Sequence, residues 1–573
     1  MTERESQVGG KEDTKAGTAA GTSAGRLLQG FRRTMEAVRK DGPGHVLFWF
    51  LALLIGLAAG AAAVLFRHAI LLLERLFYGT DDVHQLHSLI GHLEWYRVVG
   101  VPVLGGIVVG IILHRFTPDG RVRSVADVIE GAALRDGRVE KRAGIASALA
   151  SLITLSTGGS TGREGPVVHM AGLIATWVSD RIHASPVTAR DLLGCGVAAA
   201  VSASFNAPIA GTLFALEVIL RHFAVHAFGP IVIASVAGTV VSRASFGDIT
   251  EFTLPTERLI SFYAELPAFM LLGLFCGIVA VVLMRSVFWA TDLGDAIEKR
   301  TRMPFWLRPA IAGLLLGLIA LRFPHIIGVG YETTTLALTG QLSFGQAIIF
   351  TIVKVIAVAI TMAGLMGGGI FSPSLMVGAL AGLAFGHVAI SIFPDLSGSE
   401  TMYALAGMGA VAAAVLGAPI STTLIVFELT GNWETGLAVM VAVSLSVALA
   451  SRIVDRSFFL TLLERRNIHL AAGPQAYLLQ MFSVARVMTP KEADGVPPEE
   501  EIWERIEQGI YVDGNATLEA AMPIFEKSNL GYIPVVTLSG EGEGPELWGV
   551  LYQVDALKAY NRALAETAAE EHG

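Results

Sequence analysis

The chain has 573 residues, 53% of them hydrophobic and only 16% charged, with a mean hydropathy of +0.58. A soluble chain carries about 25% charge, so this composition excludes a soluble globular protein and points to a polytopic membrane protein. The net charge of −9 comes largely from the acidic C-terminal region and gives no ground for a nucleic-acid partner.

Residues 1–44 are polar and rich in Gly, Ala, Ser and Thr, with no apolar core or cleavage site. They read as a disordered tail and not as a signal peptide. Just before the first apolar segment, Arg26, Arg32, Arg33, Arg39 and Lys40 face only one acid, Glu36. The positive-inside rule then places the N-terminus in the cytoplasm.

Apolar segments follow at 46–78, 98–115, 145–157, 166–179, 191–203, 207–220, 228–243, 262–290, 307–321, 347–366, 371–390, 403–416, 418–430 and 437–455. Several fall short of the ~20 residues needed to cross the hydrocarbon core. Short helices broken by Gly or Pro survive at membrane depth only when buried in protein or lining a wet cavity. This favours a channel or transporter over an anchor. The two cysteines, Cys195 and Cys276, both lie in apolar runs and read as core residues, not as a disulfide.

The membrane part repeats itself. Gly56-Leu57-x-x-Gly60 recurs as Gly273-Leu274-x-x-Gly277, and Pro102, Gly106 and Gly110 recur as Pro309, Gly313 and Gly317. Ala207-Pro208-Ile209, Thr212-Leu213 and Glu217 recur as Ala418-Pro419-Ile420, Thr423-Leu424 and Glu428. The order is the same in both halves, about 45–245 and 262–455. The match brings Glu164-Gly165-Pro166 onto Phe371-Ser372-Pro373, so each half carries a Gly-rich break that opens a helix with proline. Paired broken helices of this kind mark a binding site at the bilayer midplane. A helix start offers unpaired N–H groups and a positive dipole end, which suits an anion. An ionisable residue placed there, Glu164, is a functional residue by default.

After about Arg452 the character changes. Residues 484–562 begin with Val484-Ala-Arg-Val-Met-Thr489 and an acidic, Pro-containing linker. A strand near Asp513, a helix from Thr517, strands Tyr532–Val536 and Leu547–Leu551 and a helix around Asp555 then make a small soluble α/β module. An acidic tail, 563–573, is expected to follow.

Gly162-Arg-Glu-Gly-Pro166, Gly368-Gly-Ile-Phe-Ser-Pro373 and Phe205-Asn-Ala-Pro-Ile-Ala-Gly211 resemble signatures of the CLC family of chloride channels and proton-coupled chloride exchangers. The resemblance covers residues 45–465, and the soluble module is similar to a CBS domain. It implies an all-α, homodimeric membrane protein of two inverted repeats with broken and re-entrant helices, plus a small α/β CBS-like module on the cytoplasmic side. One pore per subunit would carry chloride through the plasma membrane, with both termini cytoplasmic and no enzymatic activity. Glu164 then corresponds to the gating glutamate, and Gly162, Arg163, Gly165, Gly369, Ile370 and Phe371 to the anion pathway. Phe371 would offer a backbone N–H to the central anion. Asp555 corresponds to a ribose contact for an adenine nucleotide; packing of the dimer is the competing role for that module, and no other cofactor is expected.

Three departures from the family pattern bear on mechanism. The segment Val122-Arg-Ser-Val-Ala-Asp127 lacks the glycines and proline of the family's first signature, so either Arg123 or Ser124 takes the place of the anion-coordinating serine. Val218 stands where proton-coupled members carry an inner glutamate, and valine cannot relay a proton. Glu217 beside it, matched by Glu428, reads as a structural feature of the repeat. Phe459 stands in place of the family's coordinating tyrosine and has no hydroxyl to donate. These departures favour a voltage- or pH-gated channel, with a proton/chloride antiporter as the alternative and a fluoride-selective exporter behind it. Arg163 would raise the local potential or sit as a solvated charge at a vestibule. His169 reads as a helix-packing residue ahead of a proton relay. Lys354 would tune the pathway, pair with an acid or snorkel. No metal-ligand cluster or nucleophile–base pair stands out.

Overall fold

The structure, a computed structural model, describes residues 45–79, 86–223, 225–247, 262–394, 399–468, 470, 479, 482–493, 495–514, 516–528, 530–537 and 546–572. The tail expected over 1–44 lies outside the described residues. Every apolar segment of the sequence forms a helix, and seven helices among the described residues are long and apolar enough to cross a membrane. The chain is a multi-pass membrane protein. Differences from the sequence pattern are local. The apolar run 262–290 continues as helix to Thr301, because Asp292, Asp295 and Glu298 on its polar extension pair with Arg465 and Arg308. The short helices Leu86–Ile90, Tyr331–Leu338 and Phe458–Glu464 have too few turns to show a hydrophobic period.

The glycine repeats are packing devices. Gly56 and Gly60, on the first helix, His45–Tyr78, meet the backbone of Ala234 and Gly238. Gly273 and Gly277, on the matching helix of the second half, meet Ala442 and Ser446 in the same way. Where the halves join, the helices Trp95–Phe116 and Arg308–Ala320 lie side by side, with Gly106 against Pro309 and Ala310 and Gly313 against Pro102 and Val103. Gly110 faces Trp306 while Gly317 faces Val98 and Val99, so numbers rise on one helix as they fall on the other. The pair is antiparallel. With no hydrophobic drive between helices in lipid, such close backbone approach is what holds them.

A second pair repeats the relation with charges. Glu217, on the π-helical turn Ala215–Leu220, accepts from the N–H groups of Ile420 and Ser421 at 2.9 and 2.8 Å. Glu428 accepts from Ile209 and Ala210 at 2.9 and 2.7 Å. Each carboxylate thus caps the start of the other half's proline-led helix, Pro419–Thr430 or Pro208–Phe214. Four N–H groups at a helix start lack internal partners, and these caps satisfy two of them. Only antiparallel neighbours can each cap the other's start with a carboxylate from near their own C-terminal end, so the halves are inverted with respect to each other.

The C-terminal module is a four-stranded sheet of β1 (Thr489–Pro490), β2 (Val512–Asp513), β3 (Tyr532–Thr537) and β4 (Glu546–Tyr552), in the order β1-β4-β3-β2. Only the β2–β3 pair is parallel. Val484, Leu518, Phe525, Ile533 and Leu551 form its core. Two expectations change here. The acidic linker contains a helix, Glu499–Glu507, whose Ile502 and Ile506 bury against Tyr532, Val536 and Leu547. The expected acidic tail is largely a continuation of the last helix, Gln553–His572. The module touches the membrane part where Arg486 Nη2 donates to Asp136 Oδ2 at 2.9 Å.

Candidate functional site

The two Gly-rich breaks meet. Gly162 and Gly369 form an isolated antiparallel bridge, N–H to carbonyl in both directions at 2.7 and 2.8 Å. Thr161 Oγ1 adds a bond to the Gly369 carbonyl at 3.0 Å. Gly368 takes φ +137°, a region that L side chains rarely adopt, and this swings the chain into the bridge. From the bridge the helices Glu164–Ile182 and Phe371–Ile392 begin, with Arg163 and Ile370 as their N-caps. Pro166 lies inside the first turn, two residues after the start. The unpaired N–H groups of two helix starts are therefore presented at one place, each worth roughly half a positive charge.

Glu164 occupies that place. It is 2% exposed, and its Oε1 accepts a hydrogen bond from Ser372 Oγ at 2.6 Å. Oε2 is buried with no hydrogen-bond partner among the described residues. A Cβ on Gly162 would lie 2.5 Å from Oε2, so the glycine makes the room that the carboxylate fills. Phe371 packs its ring on Phe205 and Phe214, with centroids 4.8 and 5.9 Å away, which leaves its backbone N–H at the helix start.

A cavity of about 600 Å³ reaches this region; Ser124, Gly369, Ile370 and Phe459 are among its lining residues. Ser124 is the N-cap of the helix Val125–Leu134, and its N–H donates to Asp127 Oδ2 at 2.7 Å. A third helix start thus faces the same space. Arg123 does not line it. Its guanidinium turns to Asp119 at 2.7 Å and Glu140 at 2.7 Å. Of the two residues left open by the sequence, Ser124 borders the cavity and Arg123 braces the turn behind it. Burial alone would raise the Asp119 and Glu140 carboxyls. Hydrogen bonds and charge from Arg123, with Arg135 also on Glu140, outweigh this and hold both below the usual carboxylate range.

The remaining sequence candidates fall as follows. Val218 is buried in the π-helical turn at 5% exposure. Arg163 is not a solvated charge: it is buried, donates from Nη2 to the Ser204 carbonyl at 3.1 Å and lies over the Tyr331 ring. His169 is buried against Gly144. Lys354 does not snorkel, and it pairs with no acid among the described residues. It is fully buried, and its Nζ donates to the carbonyls of Ile326 and Gly328, both at 3.1 Å. Asp555 opens the last helix and pairs with Lys558 at 3.3 Å, away from the membrane site. Cys195 and Cys276 are free and buried. Sequence reasoning missed the role of Ser372. Its signal was a hydroxyl at the helix start that the repeat matches to the one carrying Glu164.

The sequence model of the voltage-gated chloride channel family matches residues 105–451, and that of the CBS domain matches 485–562. The chain belongs to the CLC family. It is 30% identical over 396 residues to a putative chloride channel protein ClcB-like of Ralstonia nicotianae, covering 68% of this chain and 91% of that protein. It is 31% identical over 434 residues to the chloride channel protein CLC-f of Arabidopsis thaliana, covering 72% of this chain and 55% of that longer protein. Among solved structures, a slow cyanobacterial Cl−/H+ antiporter superposes with a TM-score of 0.64 at 22% identity, over 73% of this chain and 97% of that one. A CLC-type fluoride/proton antiporter does so at 0.59 and 20% identity, over 71% and 95%. At these identities the structures speak for the fold alone. In CLC terms, the Gly162–Gly369 bridge joins the two half-sites, and Glu164 fills the space where they meet.

Proposed function

We propose that this CLC protein conducts chloride passively through one pore in each subunit of a homodimer, gated by the Glu164 carboxylate. The position of that carboxylate carries the reading: a single negative group, held by one side-chain hydrogen bond, fills a space made of helix starts. Charged, it occupies the anion position; protonated, it has no reason to stay. Partial charges from N–H groups and helix dipoles hold an anion weakly enough to release it, as conduction requires. No full cationic side chain enters the bridge: Arg163 and Lys354 are both turned to backbone carbonyls.

Two features favour conduction over exchange. Val218 puts an apolar side chain at the inner position where a proton carrier would stand. On the cavity side, Phe459 supplies a ring and no donor, so restraint on the anion falls to Ser124 and the backbone. The setting is a plasma membrane with both termini cytoplasmic, given the basic residues ahead of His45. No enzymatic role is proposed. The test is chloride efflux from proteoliposomes with proton movement followed in the same sample. Efflux without uphill proton movement is the expected result. Chloride flow that drives protons uphill would make the protein an antiporter, and fluoride flow without chloride flow would make it a fluoride exporter.

A further inference from the structure

We propose that Glu74 is a second proton-binding site of this protein, separate from Glu164, whose charge sets the pull of Arg163 on an arriving anion. The proposal rests on the reading that anions pass Glu164. Glu74 lies in the last turn of the helix His45–Tyr78 and is only 3% exposed. Its Oε2 is buried and has no hydrogen-bond partner among the described residues. It lines a small cavity of about 20 Å³ together with Arg67, Arg163 and Tyr331. That is room for about one water-sized particle beside polar groups. A buried carboxylate with an unmet acceptor is costly unless a cation compensates it or it takes up a proton.

The groups facing Glu74 come from five elements. Its own helix supplies Arg67 and Tyr78, and the Tyr78 hydroxyl is engaged by donating to the Thr157 carbonyl at 3.0 Å. The start of the Glu164 helix supplies Arg163. The helix Tyr331–Leu338 supplies Tyr331, while Leu86 and Leu155 close the cavity with apolar surface. No second acid lines it among the described residues. The balance among the described residues is two guanidinium groups and one carboxyl lining the cavity, with the Glu164 carboxyl next to Arg163 in the chain.

That balance has two states. With Glu74 ionised, much of the Arg163 charge is neutralised within the cavity. With Glu74 protonated, that offset is lost one residue from Glu164, and in a low-dielectric surround the guanidinium attracts an anion more strongly. The same guanidinium borders a second small cavity with Ser204 and Ser242, so it is bordered by space on two sides. Acidification on this face therefore acts twice, once on Glu164 and once, through Arg163, on Glu74.

The two effects separate in a background where Glu164 no longer titrates. Chloride flux through Glu164→Gln in proteoliposomes is measured with the pH of each face lowered in turn, and again with Glu74→Gln added. Flux through the single variant should rise several-fold as one face is acidified, and the double variant should be fast and flat. Glu74→Asp in the same background retains a carboxyl and should keep a titration, displaced in pH; it also serves where Glu74→Gln fails to fold. A flat profile in Glu164→Gln, or an unaltered titration after either Glu74 change, overturns the proposal, as a purely structural ion pair would give. If Glu164→Gln passes no chloride at all, the anion path itself falls, and this inference with it.

Discussion

Ser372 Oγ lies 2.6 Å from Glu164 Oε1, so the acid at the start of one half's helix is latched by the hydroxyl at the start of the other's. The bond spans the two repeats and closes over the Gly162–Gly369 bridge. A hydrogen bond to a charged group contributes about 1.5–3 kcal/mol. One of the contacts that hold Glu164 at the anion position is therefore removable by a single substitution. Ser372→Ala should leave the carboxylate easier to displace. Chloride flux at neutral pH should exceed that of the wild type, read in proteoliposomes; unchanged flux would show that the hydroxyl holds nothing.

The reciprocal caps give a prediction about stability. Glu217→Ala or Glu428→Ala leaves two helix-start N–H groups without acceptors, at a cost of about 2 kcal/mol. Glu217→Gln keeps an acceptor oxygen and should lose less. Thermal unfolding in detergent checks both. The loss should appear without any change in ion selectivity, because neither carboxylate reaches the cavity that Ser124 lines.

The turn carrying Ser124 should be sensitive to pH. Asp119 and Glu140 are held below the usual carboxylate range by Arg123 despite their partial burial. A depressed folded pKa means stability present above the unfolded value and lost as pH falls through the folded one. Both acids are substantially exposed, so the contribution is about 1 kcal/mol at neutral pH. Arg123→Gln should lower thermal stability by that amount at neutral pH. The difference from wild type should shrink in acid, once the carboxylates are protonated.

Phe459 offers a gain-of-donor test. It lines the same cavity as Ser124 and Ile370 and presents no hydroxyl. Phe459→Tyr adds one donor to the anion's surroundings, worth about 1 kcal/mol. Chloride should then bind more tightly and leave more slowly, giving higher affinity by calorimetry and slower flux. A faster flux would mean that the ring acts only by bulk.

Much of this was legible in the chain. The repeated Gly56/Gly273 and Gly106/Gly313 pairs announced two like halves, and the structure shows why they must be glycine: each meets another helix's backbone. The Glu164 break was legible because charge, glycine and proline interrupt an apolar run. Other parts were hidden for physical reasons. Arg123 and Ser124 could not be separated along the chain, since what draws Arg123 away is Glu140, brought near only by folding. The helix Glu499–Glu507 was masked by its acids, although Ile502 and Ile506 sit one turn apart. Glu74 is not marked out along the chain; it falls within the apolar segment 46–78. Its cavity is made by Arg163 and Tyr331, which are remote in sequence.

The central claim is that the Glu164 carboxylate occupies the anion path and opens it by leaving. The most direct measurement is chloride flux through the wild type and Glu164→Gln, reconstituted side by side, as pH is varied. The amide carries no charge and cannot compete as an anion. Wild-type flux should rise steeply as pH falls, while the variant should already be open at neutral pH and keep only the several-fold rise that Glu74 supplies. A variant that is closed, or that retains the full wild-type pH profile, would contradict the account.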